Sequence, residues 1–359
     1  MKRFLATVLV VLMAFSLVAC GSNAQQSASA PAANTAADAN TGAEDAVAYD
    51  TVKVSIGTTG AAEDISTKAM EYMAEYLSNK TGGAMTIDLF PASQLGNAGD
   101  LMEMVGQGSL DIMLEGNFMT SYGVDDAKAG SVLFLNRSRE MYRALNESDL
   151  KADWCQQFLD KNGIRILNGN FYRNGTAYVS NVKIESPEDL KGVKIRVPQV
   201  EITINSLKAT GAAPTPIAYG ESLLALQQGV VDAIWCTEDA AYTMGFYEVA
   251  KYLIELNSDF DSMYLYTNEN FYQNLSDNNR AALEEAAQAA AEYYSGLAEE
   301  VLATNLAKMK EAGIEVITLP EETVTAIFES CLPYYRELEA NGEWSEGLLD
   351  KVIEVIENA

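Results

Sequence analysis

The segment KGVKIRVP contains the arginine whose surroundings best suit ligand chemistry. Val193, Ile195 and Val197 alternate with Lys194 and Arg196, which predicts a strand with both basic side chains on one face. Ligands of open α/β sheets gather at the carboxyl ends of strands, and a guanidinium can meet both oxygens of a carboxylate at once. Arg196 is therefore a candidate carboxylate-binding residue. The alternative is a solvated strand charge that pairs with a nearby glutamate.

The sequence offers few residues for catalysis, metal binding or nucleic-acid binding. The 359-residue chain contains no histidine, which excludes Ser-His-Asp and Cys-His catalysis and histidine-ligated metals. Outside the N-terminal region, Cys155, Cys236 and Cys331 are odd in number and widely spaced, so neither a disulfide framework nor a zinc site is indicated. With 51 acidic against 24 basic residues, the net charge of −27 makes nucleic acid an improbable partner.

Carboxylate pairs such as Asp125-Asp126 and Glu238-Asp239 are adjacent in sequence. Neighbouring side chains project in different directions, so these pairs do not form a general acid and base. They are interpreted as helix caps and solvated faces. We therefore expect a protein that is not an enzyme and that needs no cofactor and no metal.

The elements that would position Arg196 alternate between strand and helix. Residues 51–59, 61–80 and 84–91 predict a strand, a helix and a strand, a βαβ unit with parallel pairing. Further helices are expected across Arg139 to Lys161 and Asp239 to Lys251. The fold class is therefore α/β.

Two later features of the sequence bear on the architecture. Pro214 and Pro216 are expected to break the chain before the next helix. Residues 276–312 keep helical spacing over roughly 50 Å, more than one small domain's width. This helix is expected to run along two domains. The length of the chain also favours two domains.

The N-terminus has the pattern of an export signal. A basic start precedes an apolar run that ends at Cys20, and residues 17–20 resemble the lipobox of bacterial lipoproteins. An ordinary signal peptide with a chance cysteine is the alternative. We expect residues 1–19 to be a signal peptide, Cys20 to be lipidated, and residues 20–49, which are small and polar, to form a flexible tether.

Three stretches together resemble one family. KGVKIRVP, GAAPTPIAYGESLLALQQGVVDAIW and FYEVAKYL occur in the order and spacing of the solute receptors of tripartite ATP-independent periplasmic (TRAP) transporters, the DctP type. Residues 80–97 resemble the same family's first βαβ region, so the likeness covers nearly all of residues 51–359.

The resemblance implies a two-lobed, periplasmic-binding-protein-like fold, with a ligand cleft between the lobes and a long helix spanning both. Lobe I would comprise residues 50–172, with about 262–295 returning to it. Lobe II would comprise residues 173–261, with about 300–320 returning to it. C-terminal helices would fill residues 321–359.

The resemblance also implies a ligand site in which Arg196 grips the carboxylate of an organic acid. Tyr219 stands where relatives have an aromatic ring beside the ligand, although core packing is equally consistent. Cys236 replaces the usual asparagine, with Trp235 and Thr237 beside it, which suggests an unusual, larger or aromatic acid; a small residue that only fills space is the alternative for Cys236.

Glu115 resembles a family pocket carboxylate that reaches ligand hydroxyls or an amine, although an exposed glutamate at a strand end is equally consistent. Many relatives carry a second arginine near the position of Thr176, and here the nearest arginine is Arg173, a few residues earlier. Asn117 and Gln94 are weaker candidates for the pocket.

These features predict an extracytoplasmic receptor that hands a small organic acid to TRAP permease subunits. We expect a monomer held to the membrane through its N-terminal lipid, on the outer face of a single-membrane bacterium or facing a periplasm. A receptor that serves a sensor or another transporter, a carboxylate-dependent surface hydrolase and an adhesive scaffold are the alternatives.

Overall fold

The computed structural model describes residues 47–359, so the predicted signal peptide and Cys20 lie outside the described residues, as does the tether up to residue 46. The strands are, in chain order, β1 (Val52–Gly57), β2 (Met85–Phe90), β3 (Ile112–Glu115), β4 (Ile164–Tyr172), β5 (Thr176–Ser180), β6 (Lys194–Val197), β7 (Ala213–Pro216), β8 (Ala233–Thr237), β9 (Tyr252–Glu255), β10 (Ser262–Asn268) and β11 (Glu315–Thr318).

The helices alternate with these strands. They are α1 (Ile65–Lys80), α2 (Ala98–Gln107), α3 (Arg139–Asn146), α4 (Asp149–Asn162), α5 (Glu201–Ala209), α6 (Ser222–Gln227), α7 (Ala240–Thr243), α8 (Glu269–Asn274), α9 (Asp277–Glu311), α10 (Glu321–Ala340) and α11 (Leu348–Glu357). Within residues 47–359 no helix has the length and apolarity of a membrane span.

The strands form two sheets. The first has the order β2-β1-β3-β10-β4, in which β1 is parallel to β2 and β3, and β10 runs antiparallel to both of its neighbours. The second has the order β11-β9-β5-β8-β6-β7, with β5 antiparallel to β8 and β9. The strand β10 thus returns to the first sheet and β11 to the second. These sheets confirm the predicted mixed α/β class.

The helix α9 serves both sheets. Over 35 residues it spans about 50 Å. Its first half buries alanines such as Ala286 and Ala290 in the apolar cluster that covers the first sheet, whereas Met309 near its end joins the cluster under the second. The predicted long helix across both parts of the fold is therefore present.

Two short segments that cross between the sheets, residues 173–175 after β4 and residues 256–261 after β9, are hydrogen-bonded to each other. The backbone N–H of Arg173 donates to the carbonyl of Asp261 at 2.9 Å, and that of Thr176 donates to the carbonyl of Ser258 at 3.0 Å. The partly buried carboxylate of Asp259 accepts hydrogen bonds from the Phe134 N–H and the Thr176 hydroxyl. These bonds hold the crossing segments together at one place between the sheets.

Three predicted elements differ from the structure. The helix expected across Arg139 to Lys161 is two helices, because Ser148 caps a new helix by accepting a hydrogen bond from the Lys151 N–H. The helix expected after Asp239 is a single turn that stops before Gly245, which has a positive φ of 68°.

The third difference concerns the prolines. Pro214 and Pro216 do not simply break the chain, because they lie in β7, which pairs with β6 at the edge of the second sheet. An edge strand tolerates proline because one side of the strand has no partner that needs its N–H.

Candidate functional site

A cavity of about 280 Å³ lies where the carboxyl ends of strands from both sheets approach each other. The first sheet contributes the residues that follow β1 and the end of β3, and the second contributes the end of β8. The crossing segment after β4, with Arg173 and Asn174, and the helix α9 complete the wall. The lining residues are Thr59, Gly60, Asp64, Ile65, Ser66, Glu115, Gly116, Arg173, Asn174, Thr237, Asp239, Met263, Tyr294, Ala298 and Val301.

Arg196 lies beside this cavity rather than in its lining. Its strand β6 is parallel to β8, and Arg196 pairs with Ile234, so its side chain shares a face with Ile234 and Cys236. As predicted, the apolar residues of β6, such as Ile195, pack on the other face of the sheet.

The guanidinium of Arg196 is buried without a carboxylate partner among residues 47–359. The residue is 4 % exposed, and its Nε donates to the carbonyl of Ile217 at 3.0 Å. Neither terminal nitrogen has an acceptor in the described part of the chain. Burial lowers the pKa of Arg196, because the charged form loses water. The side chain thus presents an uncompensated positive charge.

Tyr219 and Cys236 surround this guanidinium. The Tyr219 ring lies 5.1 Å from the Arg196 Cζ, within the range of a cation–π contact. Partial burial, with the neighbouring Cys236 and Asp239, raises the pKa of Tyr219 to about 12. Burial raises the pKa of the Cys236 thiol, and the Arg196 charge opposes that rise. Asp239 lines the cavity, and its charge acts on both Tyr219 and Cys236, so this cluster lies near the cavity wall.

The other predicted arginine is already paired. Arg173 lines the cavity, but its Nε donates to the Asp261 carboxylate at 2.7 Å and a second nitrogen donates to the other oxygen. The Asp261 charge raises the pKa of Arg173. This bidentate pair leaves little net charge for a ligand.

Glu115 faces the cavity from the end of β3. It is 6 % exposed, and its Oε1 accepts a hydrogen bond from the Thr59 N–H at 2.6 Å. Burial raises the pKa of Glu115, although the bonds from Thr59 oppose that rise. Glu115, Arg173 and Thr237 are thus brought together around one cavity.

The remaining candidates lie elsewhere. Trp235 packs on the face opposite to Arg196, with its Nε1 donor buried and without an acceptor in the described chain. The Thr176 hydroxyl donates to Asp259 at 2.9 Å. Asn117 lines a different groove, of about 530 Å³, and Gln94 is exposed on the loop after β2.

Residues 56–341 match the sequence profile of the family described as bacterial extracellular solute-binding protein, family 7 (DctP). The match covers most of the chain. The chain belongs to this family.

Two curated relatives and one solved structure illustrate the similarity. The receptor is 27 % identical over 286 residues to the sialic acid-binding periplasmic protein SiaP of Vibrio cholerae, covering 80 % of this chain and 88 % of that protein. It is 30 % identical over 251 residues to the 2,3-diketo-L-gulonate-binding periplasmic protein YiaO of Escherichia coli, covering 68 % and 74 %. A TRAP periplasmic solute binding protein from Roseobacter denitrificans with bound L-galactonate matches at 25 % identity with a TM-score of 0.66, covering 86 % and 99 %.

Family membership decides the class of protein. The receptor is a TRAP solute-binding protein and not an enzyme, as predicted. Its family is extracytoplasmic and works with a membrane permease. The solved relatives share the two-lobed architecture, which confirms the expected fold.

Some lining residues were not predicted. Asp239 was interpreted as part of a cap or solvated pair, yet it lines the cavity two residues beyond Thr237. Tyr294, within the long helix α9, also lines the cavity. For Asp239 and Thr59, a usable signal was present, because each closely follows a strand whose carboxyl end lies at the inner edge of a sheet.

Proposed function

We propose that the receptor binds a small organic acid whose carboxylate is held by Arg196. The observation that carries this proposal is the buried guanidinium without a carboxylate partner in residues 47–359. Burying an unpaired charge is unfavourable, and a bound carboxylate would compensate it while accepting hydrogen bonds from both terminal nitrogens. Sialic acid, 2,3-diketo-L-gulonate and L-galactonate, named for the three relatives, all carry a carboxyl group.

The acidic surface does not oppose such a ligand. At physiological salt, charges on the surface are screened over about 8 Å, so most of the −27 net charge acts weakly inside the cleft. A single desolvated contact with Arg196 outweighs it.

The proposed contacts come from both lobes. Arg196, Tyr219, Cys236 and Thr237 belong to the second sheet and its loops, whereas Glu115 belongs to the first. A ligand that touches both groups favours the closed arrangement, because only that arrangement satisfies both sets of contacts. Arg173 supports the wall through its pair with Asp261.

Ligand-induced stabilisation tests the proposal. We expect at least one acid of the set sialic acid, L-galactonate and succinate to raise the melting temperature, and the methyl ester of that acid to fail. Stabilisation by about 2.7 kcal/mol corresponds to a free ligand at one hundred times its Kd. Equal stabilisation by acids and esters would contradict a carboxylate site, and conversion of the ligand would favour the hydrolase alternative.

We further propose that the receptor is anchored through lipid on Cys20 and delivers its ligand to a TRAP permease as a monomer. The lipobox pattern of residues 17–20 and the polar tether of residues 20–49 support the anchor. Labelling of the expressed protein with a palmitate analogue should depend on Cys20 and disappear in Cys20→Ser. Labelling that persists in this variant would show that the anchor is elsewhere.

A further inference from the structure

A second buried cation lies beside the first sheet, apart from Arg196. Lys151, near the start of α4, is 6 % exposed, and its Nζ donates to the Tyr264 hydroxyl at 2.6 Å. The ammonium carries further N–H donors, and no carboxylate of residues 47–359 forms an ion pair with it. The rings of Tyr264 and Trp154 lie 4.7 Å and 6.0 Å from the Nζ, but aromatic rings are weaker partners than an anion. Lys151 is therefore buried with its charge largely uncompensated.

Lys151 lines a pocket of about 230 Å³ between α4 and the strands β4 and β10. The other polar groups of the lining come from Asn146, Cys155, Asn168, Asn170 and Tyr264. None of the lining residues is acidic, so the lining has a net positive charge. Sites for drug-sized ligands have volumes of about 300 to about 1,000 Å³, so this pocket suits an ion of a few atoms. Tyr264 points to the opposite side of β10 from Met263, which lines the ligand cavity, so the two sites are separate.

An irregularity in β4 shapes the pocket. The pairing of β4 with β10 shifts at residues 168–171, where β4 has one extra residue, a β-bulge. A Cβ at Gly169 would lie 3.0 Å from the Tyr264 ring, so a glycine suits this close approach. The Asn146 Nδ2 donates to the Gly169 carbonyl at 3.0 Å and to the Asn170 Oδ1 at 2.6 Å. The Asn170 Nδ2 has no acceptor within residues 47–359. The pocket wall is thus fixed by hydrogen bonds and retains an unused amide donor.

Acidic residues near the pocket do not neutralise Lys151. Those of α3, of α4 and of the turn between them form no ion pair with it in the described part of the chain. Behind the pocket, the Tyr264 hydroxyl lies 2.9 Å from that of Tyr142. Burial raises the pKa of Tyr142, and Asp261 contributes in the same direction whereas Lys151 opposes the rise. Because Asp261 is paired with Arg173, it provides little negative charge for Lys151.

We propose that this pocket binds a small monovalent anion with oxygen acceptors, of the class of nitrate and acetate, independently of the ligand cleft. One buried ammonium matches one negative charge, whereas a divalent anion would bring an uncompensated charge out of water. Oxygen acceptors suit the free N–H groups of Lys151 and the Asn170 amide, and hydrogen bonds between charged groups are the strong ones. The inference does not depend on the proposed function, since Arg196 takes no part in this site.

Cys155 provides a local readout of occupancy, because it lines the pocket and is partly exposed. Burial raises the pKa of the Cys155 thiol, and the Lys151 charge opposes that rise. An anion bound to Lys151 cancels this opposing effect and also covers the thiol. Since the thiolate is the nucleophile, the bound anion should slow alkylation of Cys155.

The experiment follows iodoacetamide labelling of Cys155 by mass spectrometry during titration with sodium nitrate and, in a separate series, with sodium acetate. The upper limit on affinity per atom puts the Kd of a four-atom anion at about 40 µM or higher, so the titrations run from about 0.05 to about 50 mM. They are made on the wild type, Lys151→Met and Lys161→Met. Lys161→Met is the matched control, because it removes the same charge from the exposed end of the same helix.

We expect at least one of the two anions to slow labelling about threefold or more in the wild type and in Lys161→Met, which corresponds to free anion at about twice its Kd or above. Labelling of Lys151→Met should not respond to either salt. Equal slowing in all three proteins would be a general effect of salt and would overturn the inference. No slowing in the wild type would overturn it as well.

A second variant keeps the test decisive if Lys151→Met does not fold. Asn170→Asp places a carboxylate in the lining, and its Oδ1 still accepts the hydrogen bonds from Asn146 and Tyr172. The anions should no longer slow labelling in this variant, and undiminished slowing would contradict the inference. Arg196→Met should retain the slowing, because its site is separate, whereas loss of the slowing there would assign the effect to the ligand cleft. Circular dichroism checks that each variant is folded.

Discussion

Replacing Arg196 with methionine tests the central claim because it separates binding from stability. Methionine keeps an unbranched apolar stem in the place of the arginine stem, but it removes the charge and the donors. In the unliganded protein the guanidinium has a carbonyl, from Ile217, and a ring, from Tyr219, but no carboxylate in residues 47–359. We therefore expect Arg196→Met to lose ligand affinity without losing the fold.

The magnitude follows from the contacts. Removing one partner of a desolvated, hydrogen-bonded charge pair costs about 2 to 5 kcal/mol, which is about 30-fold to about 4,000-fold in Kd. For the unliganded protein, the lost bond to Ile217 is worth about 1 kcal/mol, whereas burial of an unpaired charge costs several kcal/mol. The melting temperature of unliganded Arg196→Met should consequently equal or exceed that of the wild type.

Calorimetry with the tightest acid found in the stabilisation test measures the affinity, and thermal unfolding without ligand measures the stability. Arg196→Lys should show an intermediate affinity, because the charge remains but the planar fork is lost. Arg165→Ala is the matched control, since this strand arginine pairs with Glu269 and does not line the cavity. Wild-type affinity in Arg196→Met would refute the reasoning.

Three further predictions concern other side chains. Burial, and to a lesser degree the nearby carboxylates, raise the pKa of Glu238 from 4.5 to about 8. The wild type should therefore lose stability relative to Glu238→Gln as the pH rises from about 4.5 to about 8. Parallel curves of melting temperature against pH for the two proteins would contradict this. Tyr219→Leu should weaken ligand binding by about 2-fold to about 30-fold in calorimetry through the lost cation–π contact, and an unchanged Kd would argue against it. In the native protein iodoacetamide should modify Cys155 before Cys236 and Cys331, because Cys155 is the partly exposed one of these three and burial raises the pKa of Cys331 to about 11. Equal rates for the three in mass spectrometry would be inconsistent with the fold.

The predictions from sequence succeeded where the determining interactions are local or periodic. Alternation along β6 assigned Arg196 to the face opposite Ile195, because successive side chains of a strand point to opposite sides. Helical spacing predicted α9 within about one residue at each end. Caps were harder to predict, since Ser148 divides a stretch whose apolar pattern reads as one helix.

The candidate site was predicted only in part. Glu115, Arg173 and Thr237 do line one cavity, but Trp235 points to the opposite face from Arg196 because it is one residue from Cys236 along the same strand. The position of Asp239 just after β8 was a signal for the inner edge of the sheet, but that signal could not separate a cavity-lining residue from a helix cap.

The sequence by itself determined which residue types are present and on which face of its own element each lies: one arginine at a strand end, no histidine, and a helix long enough for two lobes. Only the tertiary structure decided which charges are compensated. Arg173 meets Asp261 across 88 residues of chain, whereas Arg196 meets no carboxylate among residues 47–359. The reason is physical. The face of a strand on which a side chain lies follows from local backbone geometry. The partner of a charged side chain depends instead on which distant segments the sheets bring within a few ångströms of it.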